Sequence, residues 1–144
     1  MNPRMIFLPV FVQVLLTFLV WVWMYLGRLN GIQKAKVRLQ VLADEKKADE
    51  VFKSSVHASD NFENQFEIPV LFFVAILTIY VLNQVDELYL VLASLFVLFR
   101  ILHAVIHCGS NRILHRFLTY FISSFLLWAM WFRLAAQVLF SMQS

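Results

Sequence analysis

The sequence predicts an all-α integral membrane protein, a bundle of four transmembrane helices, and three observations carry that prediction. The chain of 144 residues is 61% hydrophobic and only 15% charged, far from the composition of a soluble globular domain. Four apolar runs, 6–26, 68–82, 88–99 (continuing past Arg100 to 106) and 117–140, each supply about 20 helical residues once their ends are counted, which is the length that crosses a bilayer. The lysines and arginines, finally, collect in two of the connections between these runs rather than being spread along the chain.

Helix one is expected over about residues 6–27. Arg4 in front of an apolar stretch resembles a signal peptide, but the stretch is too long for a signal core, has Pro9 near its start, and ends in Trp21, Trp23 and Tyr25 with no small-residue cleavage site. The next segment, 28–60, carries Arg28, Lys34, Lys36, Arg38, Lys46, Lys47 and Lys53, and the third connection adds Arg112 and Arg116. By the positive-inside rule these connections are cytoplasmic, so both termini lie in the periplasm or a lumen. The formal charge of +3 is accounted for by this topology and calls for no nucleic-acid partner. A single cysteine, Cys108, excludes an internal disulfide and reads as a free thiol near a helix end.

Within 28–60, Val37, Val41, Ala48, Val51 and Phe52 alternate with charges, which predicts either an extension of helix one or a separate surface helix. The run Asp44 to Glu50 reads as a solvated face with salt-bridge spacing. Asp60 followed by Glu63 has the form of a capping box, which starts helix two near Asn61 and gives it the span 62–83. Pro69 then falls inside that helix and predicts a kink. Asn83 to Glu87 is the only polar break before helix three at 87–108, so helices two and three form a hairpin; helix four is expected at 114–141.

The polar residues inside these spans share a level and a face. At roughly 100° per residue, Arg100, His103 and His107 fall within about a 60° arc of helix three. Glu67 and His103 are equally far from the hairpin tip at Val85, and Arg116 is level with His103 when counted from the loop near Ser110. Glu63, Asn64 and Glu67 form a polar stripe on helix two, and Arg116, Thr119, Tyr120, Ser123 and Ser124 form another on helix four. Charged side chains at membrane depth cost several kcal/mol, so they turn inward and mark functional sites. Arg133, near the opposite end of helix four, is expected to snorkel to the outer interface, and Gln13 with Thr17 on helix one to bond between helices.

Two arginines and two histidines against Glu67 make a site of mixed sign, suited to a zwitterionic, net-anionic molecule from the cytoplasm and an apolar co-substrate from the bilayer. Internal pairing of Glu67 with Arg100 or Arg116, fixing helix register without any ligand, is the alternative from spacing. A metal or haem held by His103, His107 and Glu67 is a weaker reading, since no further ligand is evident and Arg100 repels a cation; no metal is expected.

The block Asn64-Gln65-Phe66-Glu67-Ile68-Pro69, followed by Arg100-Ile101-Leu102-His103 and by Arg116, resembles the membrane-associated proteins in eicosanoid and glutathione metabolism, the MAPEG family, and most of all its short bacterial members. The resemblance spans the whole chain as a single domain. It implies a homotrimer of four-helix subunits that binds glutathione as co-substrate between neighbours at the cytoplasmic side. By position it implies that Asn64, Glu67, Arg100, His103, Arg116 and Tyr120 bind glutathione, with Arg116 and His107 catalytic near the thiol. It further implies thiolate attack on a small lipophilic electrophile or hydroperoxide, a glutathione transferase or peroxidase activity. Asp60 and Glu63 stand where basic residues usually precede the Asn, His107 where a tyrosine is found in one branch, and Phe117 where a serine follows the last arginine. The alternative within the same family is a non-catalytic trimer that binds a lipid or a partner protein.

Overall fold

The structure, a computed structural model, describes residues 1–142. A 3-10 turn at Pro3–Ile6, capped by Asn2, leads into α1, Phe7–Ala35. Helix α1 continues past the expected end at residue 27 because it has something to pack on there. Gly27 and Gly31 face the returning chain so closely that a Cβ on Gly27 would lie 2.8 Å from the Ser55 Cβ, and one on Gly31 would strike the carbonyl oxygen of Val51. Two small residues one turn apart thus let backbones meet, the device that membrane helices use for close approach. The helix stops at Lys36, which takes a left-handed conformation (φ 52°) while its N–H still bonds to the Ile32 carbonyl.

After a 3-10 stretch at Leu39–Ala43, Asp44 caps α2, Glu45–Phe52, and a further 3-10 turn joins it to α3, Val56–Asn64. Both readings of the 28–60 segment therefore hold: helix one is extended, and a separate short helix follows. The second long helix begins at Val56, not near 62, and no capping box forms. Asp60 and Glu63 lie inside α3, because the chain enters it already wound from the preceding turn and needs no fresh start at Asn61. The kink expected at Pro69 is a full interruption. Helix α3 ends at Asn64, a turn over 65–67 follows in which Glu67 leaves helical geometry (φ −95°, ψ −103°), and α4, Ile68–Val81, starts with Pro69 in its first turn, where the missing N–H costs nothing.

Asn83, also left-handed (φ 55°), closes the turn to α5, Glu87–Cys108. Asp86 caps α5 by accepting from the Tyr89 N–H at 2.9 Å. A second tight turn through left-handed Asn111 leads to α6, Ile113–Ser141. Four stretches are long and apolar enough to cross a membrane: Pro3–Ala35, Glu45–Val81, Glu87–Cys108 and Ile113–Phe140. No strand occurs among the described residues.

The two halves of the bundle differ in what they bury. Toward the α4–α5 turn the core is apolar: Phe72 stacks on Phe96 with ring centroids 4.4 Å apart, and Ile76, Ile79, Ala93, Leu127 and Met130 close around them. At that same end Arg133 does not snorkel free. Both of its terminal nitrogens donate to the Asp86 carboxylate, and its guanidinium lies 4.1 Å from the centre of the Tyr89 ring. The hydrogen bonds from Arg133 hold the Asp86 carboxyl below the usual carboxylate range. Toward the basic end, the apolar packing thins to Leu16, Val20 and Ala104, and polar side chains fill the rest.

Candidate functional site

The interruption between α3 and α4 sets two helix ends back to back inside the bundle, and the polar residues gather around it. A helix C-terminus leaves carbonyls unbonded and carries negative partial charge. Here Arg100 of α5 answers it: the side chain is fully buried and its Nη2 donates to the Asn64 carbonyl at 2.8 Å. The N-terminus of α4 attracts an anion by the same logic, and Glu67 occupies its cap position, its side chain exposed and making no capping bond. Tyr120 of α6 bridges the two, its ring 5.7 Å from the Arg100 guanidinium carbon and its hydroxyl 3.5 Å from Glu67 Oε2. Glu67 does not form a salt bridge with either arginine, so the internal pairing that stood as the alternative reading is not made.

His103 sits 5.6 Å from the Tyr120 ring, and its Nδ1 donates to the Arg116 backbone carbonyl at 3.0 Å. That carbonyl accepts, so the ring proton is at Nδ1 and Nε2 is left as an acceptor; Nε2 is buried without a protein partner. One turn further, His107 takes a different arrangement. Arg116 Nη1, which can only donate, gives to its Nε2 at 2.9 Å, so Nε2 carries the lone pair and Nδ1 the proton; the Asn61 Nδ2, 3.2 Å from Nδ1, is itself a donor and does not accept that proton. Arg116 also donates to Asn111 Oδ1 at 3.1 Å.

The seven residues that sequence reasoning singles out are thus joined by direct contacts from Asn64 through Arg100, Tyr120, His103 and Arg116 to His107, with Glu67 at the rim. They come from α3, α5, α6 and the α3–α4 break. Only the backbone of Asn64 takes part in a hydrogen bond. A cavity of about 230 Å³ opens among Asn64, His103, Ile113, Arg116, Phe117 and Tyr120. A larger one of about 870 Å³ lies apart, where Lys34, Lys47 and Lys53 ring the gap between α1 and α2, and none of the converging residues lines it.

Arg100 has one more property. Its Nε and Nη1 are buried with no hydrogen-bond partner in the protein, although a guanidinium is a permanent cation with five N–H donors. Such a group is costly to leave unmatched, and its geometry suits a carboxylate taken edge-on.

Sequence reasoning missed the amides that support this site. Asn61 and Gln65, one turn apart and both buried, have side-chain amides 3.0 Å apart, and Gln65 reaches the buried Gln13 of α1 at 2.9 Å. The interhelical role expected of Gln13 is found there, whereas the Thr17 hydroxyl bonds back to the Gln13 carbonyl within α1. The signal for Asn61 and Gln65 is present in hindsight: they continue the buried face of α4 at helical spacing, but only once the helix is known to begin before residue 61.

No curated protein and no solved structure matches the chain. A family model does, over residues 6–136, which takes in nearly all of the four membrane-spanning stretches and every residue of the site. With four apolar helices, a polar cluster buried at one end and a match across nearly its whole length, the chain belongs to the MAPEG family.

Proposed function

We propose that the protein is a membrane-embedded, glutathione-dependent enzyme of the transferase or peroxidase type. The observation that carries the reading is Arg100, a fully buried guanidinium with two nitrogens unpartnered, which lies directly behind Asn64 and Tyr120 in the wall of the cavity that Arg116 lines. Glutathione has two carboxylates, one ammonium and one thiol, and the site offers a matching group for each. Arg100 and Arg116 take the carboxylates. Exposed Glu67, with Asn64, takes the amino end. The thiol lies near Arg116 and His107, where positive charge favours thiolate over thiol. The thiolate then forms a carbon–sulfur bond to an electrophile that arrives from the bilayer, displacing its leaving group or adding to an activated double bond, or attacks a hydroperoxide oxygen, breaking the O–O bond to release the protonated alcohol and a glutathione sulfenic acid that a second glutathione converts to disulfide and water.

A cavity of about 230 Å³ is smaller than the ~300–1,000 Å³ typical of small-molecule sites. That shortfall, together with large apolar side chains exposed at its edge, Ile113, Leu114, Phe117 and Phe121, supports a homotrimer in which a neighbouring subunit completes the pocket. The basic end of the bundle, with Arg28, Lys34, Lys36, Lys46, Lys47, Lys53 and Arg112, would face the cytoplasm of an inner membrane.

Phe117 in the cavity wall favours a second reading, a non-catalytic trimer that binds a lipid or a partner protein, because an aromatic hydrocarbon has no donor for a thiolate. Titration of glutathione into the purified protein, with Arg116→Ala as control, decides between them. Saturable binding that the variant loses, with conjugation of an electrophile or reduction of a hydroperoxide, is the expected result. Absence of binding at millimolar glutathione overturns the enzyme.

A further inference from the structure

The one cluster of metal-capable donors among the described residues lies just outside the cavity and is not the His103, His107, Glu67 set considered from spacing. His57 and Asp60 stand one turn apart on α3, both exposed, and face the buried His107 of α5. A ring nitrogen of each histidine and a carboxylate oxygen all lie within 4.8 Å of one another. We propose that His57, Asp60 and His107 form a binding site for a divalent transition metal of the zinc class.

Two imidazoles and one carboxylate are a borderline donor set with a coordination position left over for water, the pattern of open zinc sites. Metal–ligand bonds of about 2.0–2.2 Å require these donors to close by roughly 1 Å. Exposed His57 and Asp60 have room to do so: Asp60 makes no hydrogen bond, and His57 has beside it the Asn111 amide nitrogen, 3.3 Å from Nδ1 and 3.4 Å from Nε2, and the His107 ring, 6.4 Å away between centroids. On His107 the only lone pair is at Nε2, now shared with Arg116. A metal takes that lone pair and displaces the guanidinium. Nδ1 stays 3.2 Å from the Asn61 side-chain amide, which packs behind the metal-bound ring. Arg116 keeps its bond to Asn111 but loses the contact that fixes it.

The metal and Arg116 therefore compete for one nitrogen, and the competition is reciprocal by linkage. Neither the site nor its antagonism to Arg116 depends on which ligand the cavity takes, so its test is separate from glutathione binding. Full-length, tag-free protein in detergent is titrated with Co²⁺ and read by visible absorption, with Zn²⁺ as competitor. A saturable low-symmetry band displaced by Zn²⁺ is expected. His57→Ala and Asp60→Asn, on exposed positions that leave the helical circular dichroism intact, should each weaken binding by about 10-fold or more, the scale on which even outer partners of a metal act. Arg116→Met should tighten it by a similar factor. No saturable band in the wild-type protein overturns the site, as does wild-type affinity in both ligand variants. An Arg116→Met protein that binds no tighter overturns the shared lone pair.

Discussion

Replacing Arg100 by methionine separates a ligand-binding role from a structural one, because the two make opposite demands on stability. The side chain is fully buried and makes one protein hydrogen bond, to the Asn64 carbonyl, plus a face contact with Tyr120. Its removal costs about 1 kcal/mol for the hydrogen bond and roughly 0.5–2 kcal/mol for the ring contact. Against this, burying a cation carries a penalty of several kcal/mol that methionine, of similar length, does not incur. Unfolding in a detergent series, followed by tryptophan fluorescence, should therefore show a midpoint equal to or above the wild type. Glutathione binding moves the other way. Two charge-assisted hydrogen bonds at the lower end of roughly 1.5–3 kcal/mol each amount to about 3 kcal/mol. Affinity measured by calorimetry should then fall by about 100-fold. A variant destabilised by about 3 kcal/mol or more, the signature of a broken buried pair, with unchanged affinity for glutathione, refutes the reasoning.

The opposite end of the bundle gives a pH dependence. Arg133 depresses the Asp86 carboxyl in the folded state, so the pair contributes stability that is present above the unfolded value near 3.8 and is lost as pH falls through the lower folded-state value. Thermal unfolding between about pH 2 and 5 should show this slope, and Asp86→Asn should flatten it; the effect is modest because the Asp86 side chain is 42% exposed. Gly31→Ala should force α2 away from α1, since the added methyl meets a backbone carbonyl that cannot rotate aside. Faster proteolysis of the 36–55 connection, with little change in glutathione binding, is the expected outcome.

The four spans were legible because hydropathy at bilayer length is a long-range average that local detail does not disturb. The convergence of Glu67, Arg100, His103 and Arg116 was legible for a related reason: counting outward from two short turns fixes depth when helices are straight and antiparallel. What the sequence concealed was local. Asp60 and Glu63 carry the residue types of a helix start, but the short turn behind them was already wound, so the signal had no chain end to act on. Arg133 read as an interfacial residue because Asp86 read only as part of the polar hairpin turn, whereas it both caps α5 and pairs with Arg133. His57 went unnoticed because its relation to His107 depends on how α3 docks against α5, which no spacing along the chain encodes.

The gap between α3 and α4 preserves phase. The buried positions Ala58, Asn61 and Gln65 before it and Pro69, Phe72, Ile76 and Ile79 after it follow one helical period, so Asn61 and Ile79, 18 residues apart, sit about five whole turns from each other. The chain is bent open without being rotated. A residue inserted at Phe66 would turn α3 by roughly 100° against α4. It would swing Asn61 and Gln65 out toward acyl chains while the Phe72–Phe96 stack stayed in place. The length of that joint, more than its composition, is what keeps Asn61 against His107 and Gln65 against Gln13.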